Sequence, residues 1–484
     1  MTESIQGLGM SLPEILAVLG AVGLVLARWL PPAGRRPTTI GAAAVVAAST
    51  VVLVVVGVRW QLVPVLGCAA VMLSLAVPAL VRGRDGRPAW RARWWLALPG
   101  TVVCLGLIAT GPAAAWALPV PVFPRPSGQL GVGTTVLQWT DPDRPETATP
   151  APDDRRTVVV QLWYPARPSA VGDERARYGG RTAHEAHVVF GALAHYLGAP
   201  GFLLDGAADA RTWSVPEAAV ADTGGRFPIV LFSPGLGGVR TQNTAWAEEL
   251  ASRGYVVVGV DHPYDSAAVV LADGTTVRTR VGATGDDAVD RRSVDDWTAI
   301  RAADLRFVLT QLGRLDRGEI RGPFTDRLDT DRAAVTGHSA GGAAALLAAR
   351  QDARFAVVID IDGAPHDPHP QPFHQPVLAL AHPVDPAVNP TYLPQLTHVL
   401  NLGTSTGYLL VVPGSAHLTF TDAPLFLPPV PSLVGTRSRA GALRMTIATT
   451  VAFLDATLRN APGDLAARLR AYGELTVHRS DGRR

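Results

Sequence analysis

The sequence predicts two architectures in series: an all-α region of four membrane helices over residues 1–118, then an α/β domain over 131–475 whose mostly parallel sheet is covered by helices. Three observations carry this. Four long apolar runs crowd the first 120 residues, and the rest of the chain differs from them. Beyond residue 131, short β-branched runs alternate with helix-forming runs, the pattern of a parallel sheet covered on both faces. Within that alternation, Gly337-His338-Ser339-Ala340-Gly341-Gly342 lies between an apolar strand-like run and an alanine-rich helix-like run.

The apolar runs are Ser11–Leu30, Thr39–Val58, Gln61–Val81 and Trp94–Leu118. Each is long enough to cross a hydrocarbon core of ~30 Å at 1.5 Å per residue. A cleaved leader fits the first run poorly, because Glu3 and no basic residue precede it and three further runs follow. Trp29, Trp60, Trp90, Trp94 and Trp95 fall at the expected interfaces. Arg28, Arg35 and Arg36 mark the first connection, and Arg82, Arg84, Arg87, Arg91 and Arg93 the third, against Arg59 alone in the second. The positive-inside rule puts the first and third connections in the cytoplasm. The expected location is therefore the cell membrane, multi-pass, with the second region extracytoplasmic and the lipid bilayer as a partner. No charge lies mid-span, so the helices read as an anchor and not as a transport path.

Composition excludes several classes. The formal net charge is only +2, so nothing favours a nucleic-acid partner. All 43 basic residues are arginine, which reads as coding bias. Two cysteines, Cys68 and Cys104, cannot build a disulfide framework. His366, His369, His374 and His382 cluster in a proline-broken stretch that offers no helix-borne or cysteine-paired spacing for a metal. Neither metal nor cofactor is expected, and oligomeric state has no signature.

A Pro-rich spacer over residues 119–130 leads into the second region. Strands are expected at Val132–Trp139, Thr157–Trp163, Pro228–Phe232, Tyr255–Val260, Ala333–Thr336, Ala356–Ile361, Val377–Ala381 and Tyr408–Val412. The first two add antiparallel strands at one edge, joined by a Pro- and Asp-rich connection over Asp141–Arg156. Helices are expected at Thr241–Ser252, Asp290–Leu315, Gly341–Arg350 and Ala440–Asn460.

Strand, Gly-framed turn and helix around Ser339 are the context of a nucleophile elbow. A serine hydroxyl needs a base. His417, in the small-residue turn Gly414-Ser415-Ala416-His417 after a strand, fits best. His338 reads as packing, and His262 ends an earlier strand in the wrong chain order. The acid is Asp362 or Asp385, each following a strand between Ser339 and His417. Two backbone donors should face the developing oxyanion: the N–H of Ala340, just after the nucleophile, and that of Leu236 in Ser233-Pro234-Gly235-Leu236-Gly237-Gly238.

The second region resembles the plasma and type II platelet-activating factor acetylhydrolase family of α/β-hydrolases over about Gly131 to Leu458. The resemblance rests on Gln161-Leu162-Trp163-Tyr164-Pro165, Phe232-Ser233-Pro234-Gly235-Leu236-Gly237, the Ser339 motif, and Gly414-Ser415-Ala416-His417 with Phe420 and Asp422. The steps of 23 residues from Ser339 to Asp362 and 55 more to His417 also match, so the resemblance favours Asp362. It implies metal-independent hydrolysis of short or oxidised acyl esters of phospholipids, a lipid-like ester substrate. Pro234, where the family often has histidine, and Ala340, where it has a bulky residue, depart from the pattern. Bacterial cutinase-like polyester hydrolases are also similar, and their spacing selects Asp385, 46 residues after Ser339 and 32 before His417. An acyltransferase with the same triad, or a non-catalytic membrane module, are the other readings. The insertion Ala166–Gly225, with an apolar helical face over His187–Leu197, and the Pro-rich Ala423–Gly435 are expected to line the acyl site or touch lipid.

Overall fold

A computed structural model describes residues 4–5, 9–84, 93–168, 172–282, 287–365 and 371–479. The chain divides into two units, Met1–Val120 with Phe426–Pro428, and Pro121–Leu425 with Pro429–Arg484. The first is built from four apolar helices: α1 (Leu12–Ala27), α2 (Pro32–Val56), α3 (Val63–Arg84) and α4 (Trp94–Ala117). Stretches within or overlapping the last three, Pro32–Val56, Trp60–Val77 and Ala97–Ala117, are long and apolar enough to cross a bilayer core.

The first helix is shorter than its apolar run. It has 16 residues and stops at Ala27, ahead of Pro31 and Pro32. Proline cannot continue a helix but can open one, and Pro32 is the first residue of α2. Thus α2 takes in Arg35 and Arg36 and starts seven residues before the expected span. At the other end of α1, Glu14 accepts the Ser11 N–H at 2.6 Å and pairs with Arg59 at 3.3 Å. Val54 and Val55 in α2 and Val102 and Val103 in α4 face outward.

The second unit holds one ten-stranded sheet. Its strands are β1 (Gly131–Pro145), β2 (Arg155–Ala166), β3 (Val215–Pro216), β4 (Phe227–Ser233), β5 (Val256–Asp261), β6 (Leu328–His338), β7 (Phe355–Ile361), β8 (Val377–Ala381), β9 (Gly407–Val411) and β10 (Glu474–His478). Their order is β10-β9-β8-β7-β6-β4-β5-β2-β1-β3. The run from β9 to β5 is parallel. As expected, β1 and β2 join antiparallel at one side. At the other, β10 pairs antiparallel with β9, Tyr408 facing Val477. That strand went unread because only Leu475 and Val477 alternate in it.

Alternation along the central strands makes two cores. Ile229, Leu231, Val258 and Val335 pack under α7 (Asp287–Asp316), through Leu305, Val308 and Leu312, and α8 (Ala340–Gln351). Val230, Phe232, Val257 and Ala334 face α6 (Thr244–Ser252) and α9 (Arg439–Leu458), through Trp246, Leu250, Phe453 and Leu454. Each fully buried aliphatic contributes roughly 1.5–3 kcal/mol. The two layers fix the carboxyl ends of β4, β6, β7 and β8 side by side. Residues 121–130 run along the same unit: Phe123 stacks edge-on against Tyr178 at 4.8 Å, and Ser127 donates to Glu249 at 2.6 Å.

Candidate active site

Ser339 is the single residue between the end of β6 and the start of α8. Its backbone has φ 57° and ψ −125°, a conformation that costs an L-residue about 1–3 kcal/mol. Backbone bonds hold it there: Ser339 N–H donates to Ile361 at 2.9 Å, and Gly342 N–H donates to the Ser339 carbonyl at 2.9 Å. The framing glycines are required by close approach. A Cβ on Gly337 would lie 2.2 Å from the Gly341 carbonyl carbon, and one on Gly341 would lie 2.0 Å from the Ser233 carbonyl oxygen.

His417 comes from the turn after β9. Ser339 Oγ donates to its Nε2 at 2.9 Å, and its Nδ1–H donates to Asp362 Oδ2 at 2.6 Å. The His417 side chain is 44 % exposed, whereas the Asp362 side chain is fully enclosed. Asp362 leaves β7 with φ 58°, which turns it away from Asp360. The two carboxyls are pushed in opposite directions. Burial, reinforced by the Asp362 charge, raises Asp360 well above the usual range, and its Oδ1 accepts the Gly363 N–H under the elbow. Burial would raise Asp362 as well, but hydrogen bonds from His382 and His417 outweigh it and hold that carboxyl below the usual range. Such separation assigns one neutral and one ionised carboxyl.

Two partners of Asp362 were missed from sequence. His382, at the end of β8, donates to its Oδ1 through the backbone N–H at 2.8 Å and reaches its Oδ2 through Nδ1 at 2.7 Å. Tyr392 Oη donates to Oδ1 at 3.0 Å. The strand-end position of His382 was the available signal. Asp385 lies beyond it on an exposed turn, accepting the Ala387 N–H at 2.8 Å, so the ring of His417 meets Asp362 and not Asp385. His374 points to Thr404 at 2.7 Å, apart from His382, and His366 and His369 lie outside the described residues. Donor atoms of His338, Asp362 and His417 lie within 4.8 Å of one another, but each is already committed to a hydrogen bond.

His338 is more than packing. The Gly235 N–H donates to Gln242 Oε1 at 3.1 Å, which leaves the Gln242 amide to donate to His338 Nδ1 at 2.9 Å. His338 Nε2–H then donates to the His417 carbonyl at 2.8 Å. Burial, with the nearby His417, pushes His338 down to about 3, so it stays neutral and the tautomer is fixed. This bridge joins the loop after β4 to the turn that carries His417.

In that loop the backbone donors can be counted. Gly235 donates to Gln242, Gly237 to Asp265 Oδ1 at 3.2 Å, and Gly238 to the Gly235 carbonyl at 2.8 Å. The Leu236 N–H meets no acceptor among the described residues, and neither does that of Ala340 at the start of α8. A Cβ on Gly235 would sit 3.4 Å from the Ser339 Cβ, so the loop passes directly over the serine. Tyr196 at the end of α5 (Ala183–Tyr196) covers Gly237, which brings the long insertion to the rim. In the other segment Ala423 and Leu425 are buried, while Val430 and Leu433 are exposed.

A sequence profile of the family described as platelet-activating factor acetylhydrolase, isoform II, matches residues 122–289 and 320–462. The chain belongs to that family. Platelet-activating factor acetylhydrolase of Canis lupus familiaris is 28 % identical over 267 residues, 50 % of this chain and 54 % of the relative. The probable 1-alkyl-2-acetylglycerophosphocholine esterase of Arthroderma benhamiae is 27 % identical over 271 residues, 54 % of this chain and 64 % of the relative. The chain thus spans little more than half the length of these curated relatives. A solved ferulic acid esterase from Streptomyces cinnamoneus superimposes with a TM-score of 0.58 at 32 % identity, covering 73 % of this chain and 97 % of that one. The second unit of this acetylhydrolase-family member therefore has the α/β-hydrolase fold.

Proposed function

We propose that the chain is a membrane-anchored serine ester hydrolase whose nucleophile, base and acid are Ser339, His417 and Asp362. The observation that carries the reading is the unbroken proton path at 2.9 and 2.6 Å, ending on a serine held at positive φ. Ser339 Oγ attacks the acyl carbonyl as His417 Nε2 takes its proton. The oxyanion is received by the N–H groups of Leu236 and Ala340. His417 then gives the proton to the leaving alcohol, and the C–O bond to it breaks. A water, deprotonated by His417, releases the acid and restores Ser339. Asp362 keeps the imidazole in the reactive tautomer and balances its transient charge.

A lipid-like acyl ester fits the names of the curated relatives and the proximity of an anchor. Residues 1–118 serve as that anchor, 119–130 as the connection and 131–475 as the catalytic domain. The Arg-rich connection before α4, held in the cytoplasm, sends the carboxyl end of α4 outward, so the catalytic unit faces away from the cytoplasm. This side depends on α4 alone and not on whether the short α1 crosses.

The full-length chain in detergent, treated with an alkyl fluorophosphonate and with p-nitrophenyl esters of graded length, tests the chemistry. One label per chain and ester turnover are expected. Folded protein that neither labels nor turns over would leave only a membrane-bound scaffold.

A further inference from the structure

The loop that carries the Leu236 N–H is gripped from beneath by a side chain outside the proton path. Arg301, on α7, is fully buried. Its guanidinium donates to the Gly235 carbonyl at 3.0 Å, to the Pro234 carbonyl at 2.5 Å and to Ser233 Oγ at 3.2 Å. Asp265 locks the other edge of the fork, accepting from Nη2 at 2.6 Å and from Nε. The same Asp265 accepts the Gly237 N–H. Two successive carbonyls and one amide of a four-residue turn are therefore tied to one ion pair.

The consequence follows from peptide geometry. The Gly235 carbonyl and the Leu236 N–H belong to one peptide plane, and in a trans peptide they point in opposite directions. No peptide bond among the described residues is cis. A donor that fixes the carbonyl on one side fixes the N–H on the other, in a loop that passes over Ser339. Lysine, a point charge with no fork, could not hold two carbonyls and a carboxylate together.

We propose that Arg301 is a positioning residue that fixes the direction of the Leu236 N–H and so preorganises the oxyanion site. The inference rests on the serine-hydrolase reading and adds to it the residue responsible for one donor. The Gly238 N–H also donates to the Gly235 carbonyl, at 2.8 Å, so Arg301 reinforces from α7 a peptide plane that the turn itself holds by one bond.

The test uses the full-length chain. Arg301→Lys keeps a cation beside Asp265 and loses the fork. Its kcat per fluorophosphonate-titrated site should fall about 10- to 100-fold with KM within about twofold, a loss below or near that of deleting one donor outright. Affinity for a substrate-matched trifluoromethyl ketone, which forms a tetrahedral oxyanion on Ser339, should fall in proportion to kcat/KM. The acid limb of the pH–rate profile should stay in place, because His417 and Asp362 are untouched. Where the lysine variant folds poorly, Arg301→Met combined with Asp265→Asn removes both charges together and takes its place. Wild-type turnover and ketone affinity in either folded variant, with only a lower melting temperature, would overturn the proposal. So would a displaced acid limb with unchanged ketone affinity, since Arg301 would then act through the imidazole. A wild-type chain that neither labels nor turns over ester would instead remove the reading beneath it.

Discussion

The second unit contains two Ser–His–Asp chains of nearly equal geometry. Ser339, His417 and Asp362 are linked at 2.9 and 2.6 Å. Ser233, His262 and Asp304 are linked at 2.9 and 2.8 Å, with the same nitrogens in the same roles. What differs is everything around them. The His417 side chain is 44 % exposed and that of His262 is 0 %. Ser339 stands on a strained turn, whereas Ser233 closes strand β4. Asp304 already receives two bonds from Arg156, at 3.1 and 2.7 Å, and one from Arg144 at 2.7 Å. Burial pushes His262 down despite that carboxylate. A proton path is therefore a common way of satisfying buried polar groups. It becomes a candidate for catalysis only where a carbonyl can reach the hydroxyl and unengaged N–H groups wait for its oxygen.

The largest expected effect breaks this pair apart. Ser339→Ala should abolish fluorophosphonate labelling and lower turnover by about 10⁶-fold, the scale of removing a nucleophile that acts as one unit with its base. Ser233→Ala should retain labelling. Labelling that survives Ser339→Ala and disappears in Ser233→Ala would reverse the assignment of the two chains.

The next separates the two acids that chain order allows. Asp362→Asn should lower kcat by about 10⁴-fold, because the amide imposes the wrong tautomer on His417. Asp385→Asn, on its exposed turn, should leave kcat near wild type. Equal losses in both variants would mean that the acid migrates during turnover.

Most of the first chain was legible in the sequence, and almost none of the second. Ser339 and His417 announce themselves because glycine spacing and strand-end turns are local. The four apolar runs and most sheet strands are local signals too, with errors at ends such as the proline break after Ala27 and in the weakly alternating edge strand β10. Asp362 needed the family spacing, since residue type could not distinguish it from Asp385. Tyr392, Gln242 and Arg301 gave no sign and His382 only its strand-end position, because each acts across 20 or more residues of sequence that only the sheet order brings together. The buried chain was invisible for the same reason: His262 and Asp304 lie on different elements and obey no motif.

Stability should also tell the chains apart. Asp304→Asn leaves Arg156 and Arg144 without their shared carboxylate in a closed interior. Breaking a buried pair by removing one partner costs about 3–5 kcal/mol. Denaturant unfolding should show that loss, while kcat per titrated site changes little. A large fall in kcat with no loss of stability would mean that the buried chain reports to the active site.

The smallest effect sharpens the contrast between buried carboxyls that have arginines and those that do not. For Asp304, burial is outweighed by Arg156 and the acid is held far below its usual range. It contributes stability above its unfolded value that is lost as pH falls through the lower, folded one. Glu248, equally buried on α6, accepts the N–H groups of Trp213 at 2.8 Å and Ser214 at 2.6 Å, and burial, only partly offset by these bonds, raises it from 4.5 to about 7. The sign is therefore opposite. Between about pH 4.5 and 7 the folded state holds a proton that the unfolded state has released, so stability falls as pH rises, by about 3 kcal/mol over the interval. Glu248→Gln removes the titration and keeps an acceptor for both N–H groups. The unfolding free energy of wild type minus that of this variant should fall by about 2.5 kcal/mol from pH 5 to pH 7.5, with groups common to both cancelling. A difference that stays flat across the interval would mean that Glu248 is ionised in the folded chain. Two backbone N–H groups would then suffice to hold a buried carboxylate that Asp304 needs arginines to keep.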